Sequence, residues 1–122
     1  MQRLRVLHFE DEPRDAFLVQ RTLQHSGLDL DWTVISKAQD YLCAIERGEL
    51  DLIVADQGIP SFNGQAALEA ARAKCPHVPF IVLSGSDDPN IRAASLKEGA
   101  TEFISKDHLE HLALAIRRLQ SK

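Results

Sequence analysis

Five short apolar runs recur along the chain: Val6-Leu7-His8-Phe9, Trp32-Thr33-Val34-Ile35, Leu52-Ile53-Val54-Ala55, Phe80-Ile81-Val82-Leu83 and the briefer Glu102-Phe103-Ile104. The third and fourth are almost unbroken and rich in β-branched residues, as expected of parallel strands buried on both faces. The intervening segments change to helical spacing. Pro13 suits a first helical turn, Ala16, Val19 and Leu23 share one face, and Gly27 stops the pattern. A second helix is predicted over residues 37–47, with Leu42 and Ile45 inward and Gly48 as its terminator. A third, alanine-rich, covers residues 65–74 and ends before Pro76. Asp88-Pro89 is a cap followed by proline for a fourth, which stops near Gly99. Asp107 and Glu110 have capping-box spacing for a fifth, with Leu109, Leu112, Ala113 and Ile116 on one stripe. Strand and helix therefore alternate as (βα)5. Right-handed crossovers turn that pattern into an α/β, doubly wound, five-stranded parallel sheet of order 2-1-3-4-5. No repeat, linker or low-complexity stretch interrupts it, so residues 1–122 read as a single domain.

Composition removes several function classes. The net charge of −4 gives no bulk attraction to nucleic acid or to an anionic membrane. The longest apolar runs are about half a dozen residues, against the roughly 20 that a membrane helix needs. Arg3, Arg5, His8 and Glu10 interrupt any signal-peptide core. Cys43 and Cys75 lack metal-ligand spacing and read as unpaired thiols, which fits the cytoplasm. His8 reads as a hydrogen-bonded histidine within the sheet, Trp32 as packing, and His77 as a loop residue. Arg117, Arg118 and Lys122 complement the dipole of the last helix.

The candidate chemistry sits where the strands stop. Strand one ends in Glu10-Asp11-Glu12, strand three in Asp56, strand four in Ser84-Gly85-Ser86, and strand five is followed by Lys106. In such a sheet ligands bind beyond the carboxyl ends of the strands, at the switch point between strands one and three. Taken singly, the acids could be a solvated turn or a helix cap, and Lys106 a surface lysine. Together, several carboxylates in one crevice repel each other, and a hard divalent cation such as Mg²⁺ is the natural remedy. A metal beside Asp56 would let its carboxylate approach a phosphoryl donor, with Lys106 and Ser84 binding phosphoryl oxygens.

On these residues the chain resembles the response-regulator receiver domains of two-component signalling, over about residues 4–119. Val6 to Pro13 is similar to the family's acidic motif after strand one, which implies Glu10 and Asp11 as metal ligands. Asp56, Pro60 and Gly64 fit its D-x-x-x-P-x-x-x-G pattern, which implies Asp56 as the phosphoacceptor and a metal-binding main-chain carbonyl at Gly58. Val82 to Ser86 resembles the strand-four motif and gives Ser84 the switch hydroxyl role. Gly99 to Lys106 looks like G-A-x-x-[YF]-[LI]-x-K, giving Lys106 the phosphate-binding role and Phe103 the switch aromatic role. The resemblance implies phosphoryl transfer from a sensor histidine kinase or phosphotransfer protein, with Mg²⁺, or Mn²⁺ in its place. The switch then remodels the face of helix four, strand five and helix five for an output domain, a partner protein or a second copy. It implies signalling rather than turnover of free substrates.

Two departures and three alternatives accompany the resemblance. Glu10 stands where aspartate is commoner, and Asp107 follows the lysine where many receivers have proline. Asp107 is therefore expected to cap helix five. The Lys106-Asp107-x-Leu109 ending and His8 bear a weaker resemblance to receivers attached to PAS-containing sensor kinases. A degenerate receiver that docks partners without taking phosphate is one alternative. A flavodoxin-like cofactor enzyme shares the topology, but Glu10 to Pro13 would repel a bound phosphate. Gly58, where haloacid-dehalogenase-type phosphatases carry a second acid, argues against a hydrolase.

Overall fold

A computed structural model of the chain describes residues 3–59, 62–86 and 88–120; the expectations for Pro60 and Lys122 lie outside them. The strands are β1 (Leu4–Phe9), β2 (Leu30–Ile35), β3 (Leu52–Asp56), β4 (Phe80–Ser84) and β5 (Glu102–Ser105). The helices are α1 (Pro13–Gln24), α2 (Ala38–Arg47), α3 (Gly64–Lys74), α4 (Pro89–Lys97) and α5 (Glu110–Gln120), with a 3₁₀ turn at Lys106–His108 before the last. The sheet order is β2-β1-β3-β4-β5 and every pairing is parallel. This is the predicted doubly wound fold.

Side chains on a strand alternate between faces, and the two cores divide accordingly. Leu7, Phe9, Ile53, Ala55, Phe80, Val82 and Phe103 pack toward α2 and α3. Val6, Leu52, Val54, Ile81, Leu83 and Ile104 pack toward α1 and α5. All residues of β3 and β4 are buried, which is why these runs are almost continuously apolar.

The expectation for α2 is corrected in one respect. Leu42 is 41% exposed, while Tyr41, Ala44 and Ile45 form the inward face. Tyr41 can be fully buried because its hydroxyl donates to the Ala67 carbonyl at 2.7 Å and its ring stacks on Phe9 at 4.8 Å. Gly48 ends α2 in the left-handed conformation (φ 72°), as its position after the last turn predicts.

The start of α5 also differs. Asp107 does not cap it through a capping box; the Ser105 hydroxyl accepts from the Asp107 N–H at 3.1 Å, and the 3₁₀ turn intervenes before Glu110.

His8 is corrected as well. It is fully buried near the carboxyl end of β1, and neither ring nitrogen has a hydrogen-bond partner among the described residues. Its ring instead packs on Trp32, with centroids 5.0 Å apart. Burial pushes its pKa down to about 4, and the nearby Lys106 charge acts in the same direction. An unfolded imidazole titrates near 6.5, so between these values the unfolded chain binds the extra proton. Stability should therefore fall as pH is lowered from about 6.5 to about 4, by on the order of 3 kcal/mol from this residue. Urea unfolding of His8→Leu across that window should show a shallower loss than the wild type. Parallel curves for the two proteins would refute this account.

Candidate functional site

Because the strands are parallel, their carboxyl ends lie along one edge, and β1 and β3 are neighbours there. Glu10 follows β1 directly and is buried; Asp11 is exposed. Glu12 caps α1, accepting from the Arg14 N–H at 3.1 Å. Asp56 is the last residue of β3 and is 7% exposed. At the opposite end of the same strand the approach is different: Asp51 pairs with Arg5 at 3.1 Å in a largely solvated bridge.

Lys106 organises the edge. Its Nζ lies 2.6 Å from Asp56 Oδ1, 2.9 Å from Glu10 Oε1 and 2.7 Å from Asp15 Oδ2. Three donors thus meet three carboxylates. Burial on its own lowers an ammonium's pKa, but the hydrogen bonds to Asp15, Asp56 and Glu10 outweigh it and hold Lys106 well above its ordinary value. Glu10 is shifted up: burial disfavours its charge and the neighbouring Asp56 repels it, against the opposing pull of Lys106. The remaining oxygens are also engaged: Glu10 Oε2 accepts from the Glu12 N–H at 3.3 Å, and Asp56 Oδ2 from the Gly58 N–H at 3.1 Å.

Asp15 is the partner that the sequence reading did not pick out. It stands in the first turn of α1, where an acid is favoured by the helix dipole anyway. Its place two residues after Pro13 was a visible signal, but one equally consistent with a simple helix start.

Glu10, Asp11 and Asp56 each offer a carboxylate oxygen, and these oxygens lie within 4.8 Å of one another. An all-oxygen set of this kind suits a hard cation, since each carboxylate oxygen retains lone pairs beyond its present hydrogen bond. The donor set therefore fits Mg²⁺.

Ser84 and Phe103 occupy the neighbouring strands. Asp56 pairs in register with Leu83, so Ser84 is one residue beyond it, itself paired with Ser105. The Ser84 hydroxyl is buried and accepts from the Ser86 N–H at 3.1 Å. Phe103 is 2% exposed, with the Arg92 guanidinium 5.0 Å from its ring centre and donating to its carbonyl at 2.9 Å. Gly64 lets α3 approach the Asp56 loop: a Cβ there would lie 3.0 Å from the Gln57 Cα and 2.6 Å from its side-chain oxygen.

A doubly wound sheet with a lysine-bridged acidic pocket at its switch point defines the class of phosphoacceptor switches. Residues 6–117 match the response regulator receiver domain family, and the chain belongs to it. That family supplies the phosphoacceptor domains of two-component systems, which act as switches rather than as enzymes on free substrates. The chain is 30% identical over 103 residues to the transcriptional activator protein IrlR of Burkholderia pseudomallei, covering 84% of this chain and 44% of that protein. It is 28% identical over 119 residues to the probable transcriptional regulatory protein TcrX of Mycobacterium tuberculosis, covering 97% and 50%. It thus spans about half the length of these relatives. The structure of the Vibrio cholerae chemotaxis protein CheY4 superposes with a TM-score of 0.81 at 21% identity, covering 97% of this chain and 99% of that one, and shows the same fold. No helix among the described residues is long and apolar enough to cross a membrane.

Removing Lys106 would leave Glu10 and Asp56 facing each other without compensation. Lys106→Met should cost roughly 2–4 kcal/mol at pH 7 without divalent ions, as broken buried ion pairs do. Since the Glu10 pKa is raised, the loss should shrink as acid neutralises it. Chemical denaturation at pH 7 and pH 5 measures both; a cost that is equal at the two values would count against the bridge.

Proposed function

We propose that Asp56 is the phosphoacceptor of a Mg²⁺-dependent signalling switch. The observation that carries the proposal is the 2.6 Å contact of Lys106 with Asp56 inside a pocket shared with Glu10 and Asp11. Glu10, Asp11, Asp56 and the main-chain carbonyl of Gly58 would hold the cation, with Mn²⁺ as a substitute. Bound there, it supplies positive charge that screens the carboxylates from an incoming phosphoryl group.

An oxygen of Asp56 attacks the phosphorus of a phosphohistidine on a sensor kinase or phosphotransfer protein. A P–O bond forms, the P–N bond breaks, and its electron pair stays on the imidazole, which takes up a proton. Lys106 then transfers its hydrogen bond from Asp56 to a phosphoryl oxygen, while Asp15 still holds the ammonium in place. Ser84 turns its hydroxyl away from the Ser86 N–H to donate to another phosphoryl oxygen. Phe103 already lies inward in this conformation, so the change passes to the face of α4, β5 and α5 chiefly through the turn after Ser84 and the Arg92 contacts. That face signals to an output domain, a partner or a second copy, in the cytoplasm, and residues 1–122 act as one receiver unit.

Acetyl phosphate or a phosphorylated kinase with Mg²⁺ should label the wild type and not Asp56→Asn; label retained by the variant would exclude Asp56. Beryllofluoride with Mg²⁺ should shift the NMR signals of Ser84, Phe103 and Lys106, and unchanged spectra would favour a docking module that never takes phosphate.

Gly58 sets the lifetime of the product. A Cβ built there stands 3.6 Å from Asp56 Oδ2, so any side chain begins in contact with the acceptor. Glycine leaves that side open to attacking water. Gly58→Arg should slow loss of the phosphoryl group, by on the order of several-fold, the size of effect expected from a partial change in water access. Phosphate-release rates indistinguishable from wild type would refute the assignment.

A further inference from the structure

We propose that His108, Glu110 and His111 form a binding site for a zinc-class divalent cation on the turn that opens α5. The three donors belong to the 3₁₀ turn and the first residues of the helix, away from the acidic pocket. Glu110 Oε2 lies 3.4 Å from His108 Nδ1 and 3.9 Å from His111 Nε2, and the three ligand atoms fall within 4.8 Å of one another. In a tetrahedral site with bonds of about 2.0–2.1 Å, neighbouring ligands stand ~3.3–3.4 Å apart, so the exposed side chains must draw together to close the site. The two imidazoles stack nearly parallel, at 19° with centroids 5.2 Å apart, so one ring must turn before both in-plane lone pairs meet at an ion, while one carboxylate oxygen already lies near a nitrogen of each.

The donor chemistry differs from that of the acidic pocket. Two imidazole nitrogens and one carboxylate suit Zn²⁺ or its neighbours, whereas Glu10, Asp11 and Asp56 offer only hard oxygen. Three protein ligands leave one position for water. All three side chains are exposed, so the ion has access, and the cost is ordering them. The positive end of α5 works against a cation, by no more than about fivefold in affinity at an exposed site.

Coordination here would have a defined structural reach. His108 and His111 line a surface groove together with Phe103, Arg92 and Leu114. A bound ion would tie the turn after Lys106 to α5 and fix one wall of that groove.

The test uses the full chain with excess Mg²⁺, so that the acidic pocket is occupied by a hard ion. Zinc chloride is then titrated against a chromophoric chelator, and the histidine ring signals are followed by NMR. One Zn²⁺ per chain is expected, with Kd on the order of 10 µM for a three-ligand exposed site and shifts confined to His108 and His111. His108→Ala and His111→Ala should each weaken binding by about tenfold or more, and Glu110→Gln by a smaller factor. Because these positions are exposed, the variants should keep the wild-type unfolding midpoint. Zinc binding that survives the double histidine variant would lie elsewhere, at Cys43 or another histidine, and would overturn the proposal. So would the absence of binding at millimolar zinc.

Discussion

The arrangement depends on one buried ammonium. Glu10, Asp15 and Asp56 come from the end of β1, the start of α1 and the end of β3, and all three meet Lys106. Glu10 and Asp56 are almost wholly removed from solvent, and desolvating an unpaired carboxylate costs several kcal/mol. Lys106 offsets that cost with three short contacts. It does so from β5, which is separated from β3 by β4. Two strand spacings are roughly 10 Å, a gap that the length of the lysine side chain closes.

The same contacts set the poise of the pocket. Glu10 and Asp56 face both the lysine and the space between the carboxylates, whereas Asp15 pairs with the lysine and Asp11 remains exposed. Adding a phosphoryl group to Asp56 would redistribute these partners without unfolding the edge, because Asp15 and Glu10 keep Lys106 in place. Such local exchange of charge partners is what a switch needs from a rigid sheet.

The buried His8 and the partly buried Trp32 are a second constraint, on stability rather than chemistry. A ring with no hydrogen-bond partner among the described residues sits behind Lys106, and its neutrality follows from burial. Burial at this position of β1 therefore holds His8 in its uncharged form.

Alternation and composition identified the strands, their order and the pocket residues Glu10, Asp11, Asp56 and Lys106, because strand period and strand ends are local properties. Asp15 was not distinguishable from an ordinary first-turn acid, since its role depends on where a residue 91 positions away arrives. The inward choice of Tyr41 over Leu42 depended on the Ala67 carbonyl of another helix, and the start of α5 on a 3₁₀ turn capped by Ser105 that intervenes at Asp107. Which chemistry the strand ends carry, and the sheet that gathers them, follow from the local pattern of residues. Which of those groups pair with one another follows from the fold, because hydrogen bonds and desolvation act through space and not along the chain.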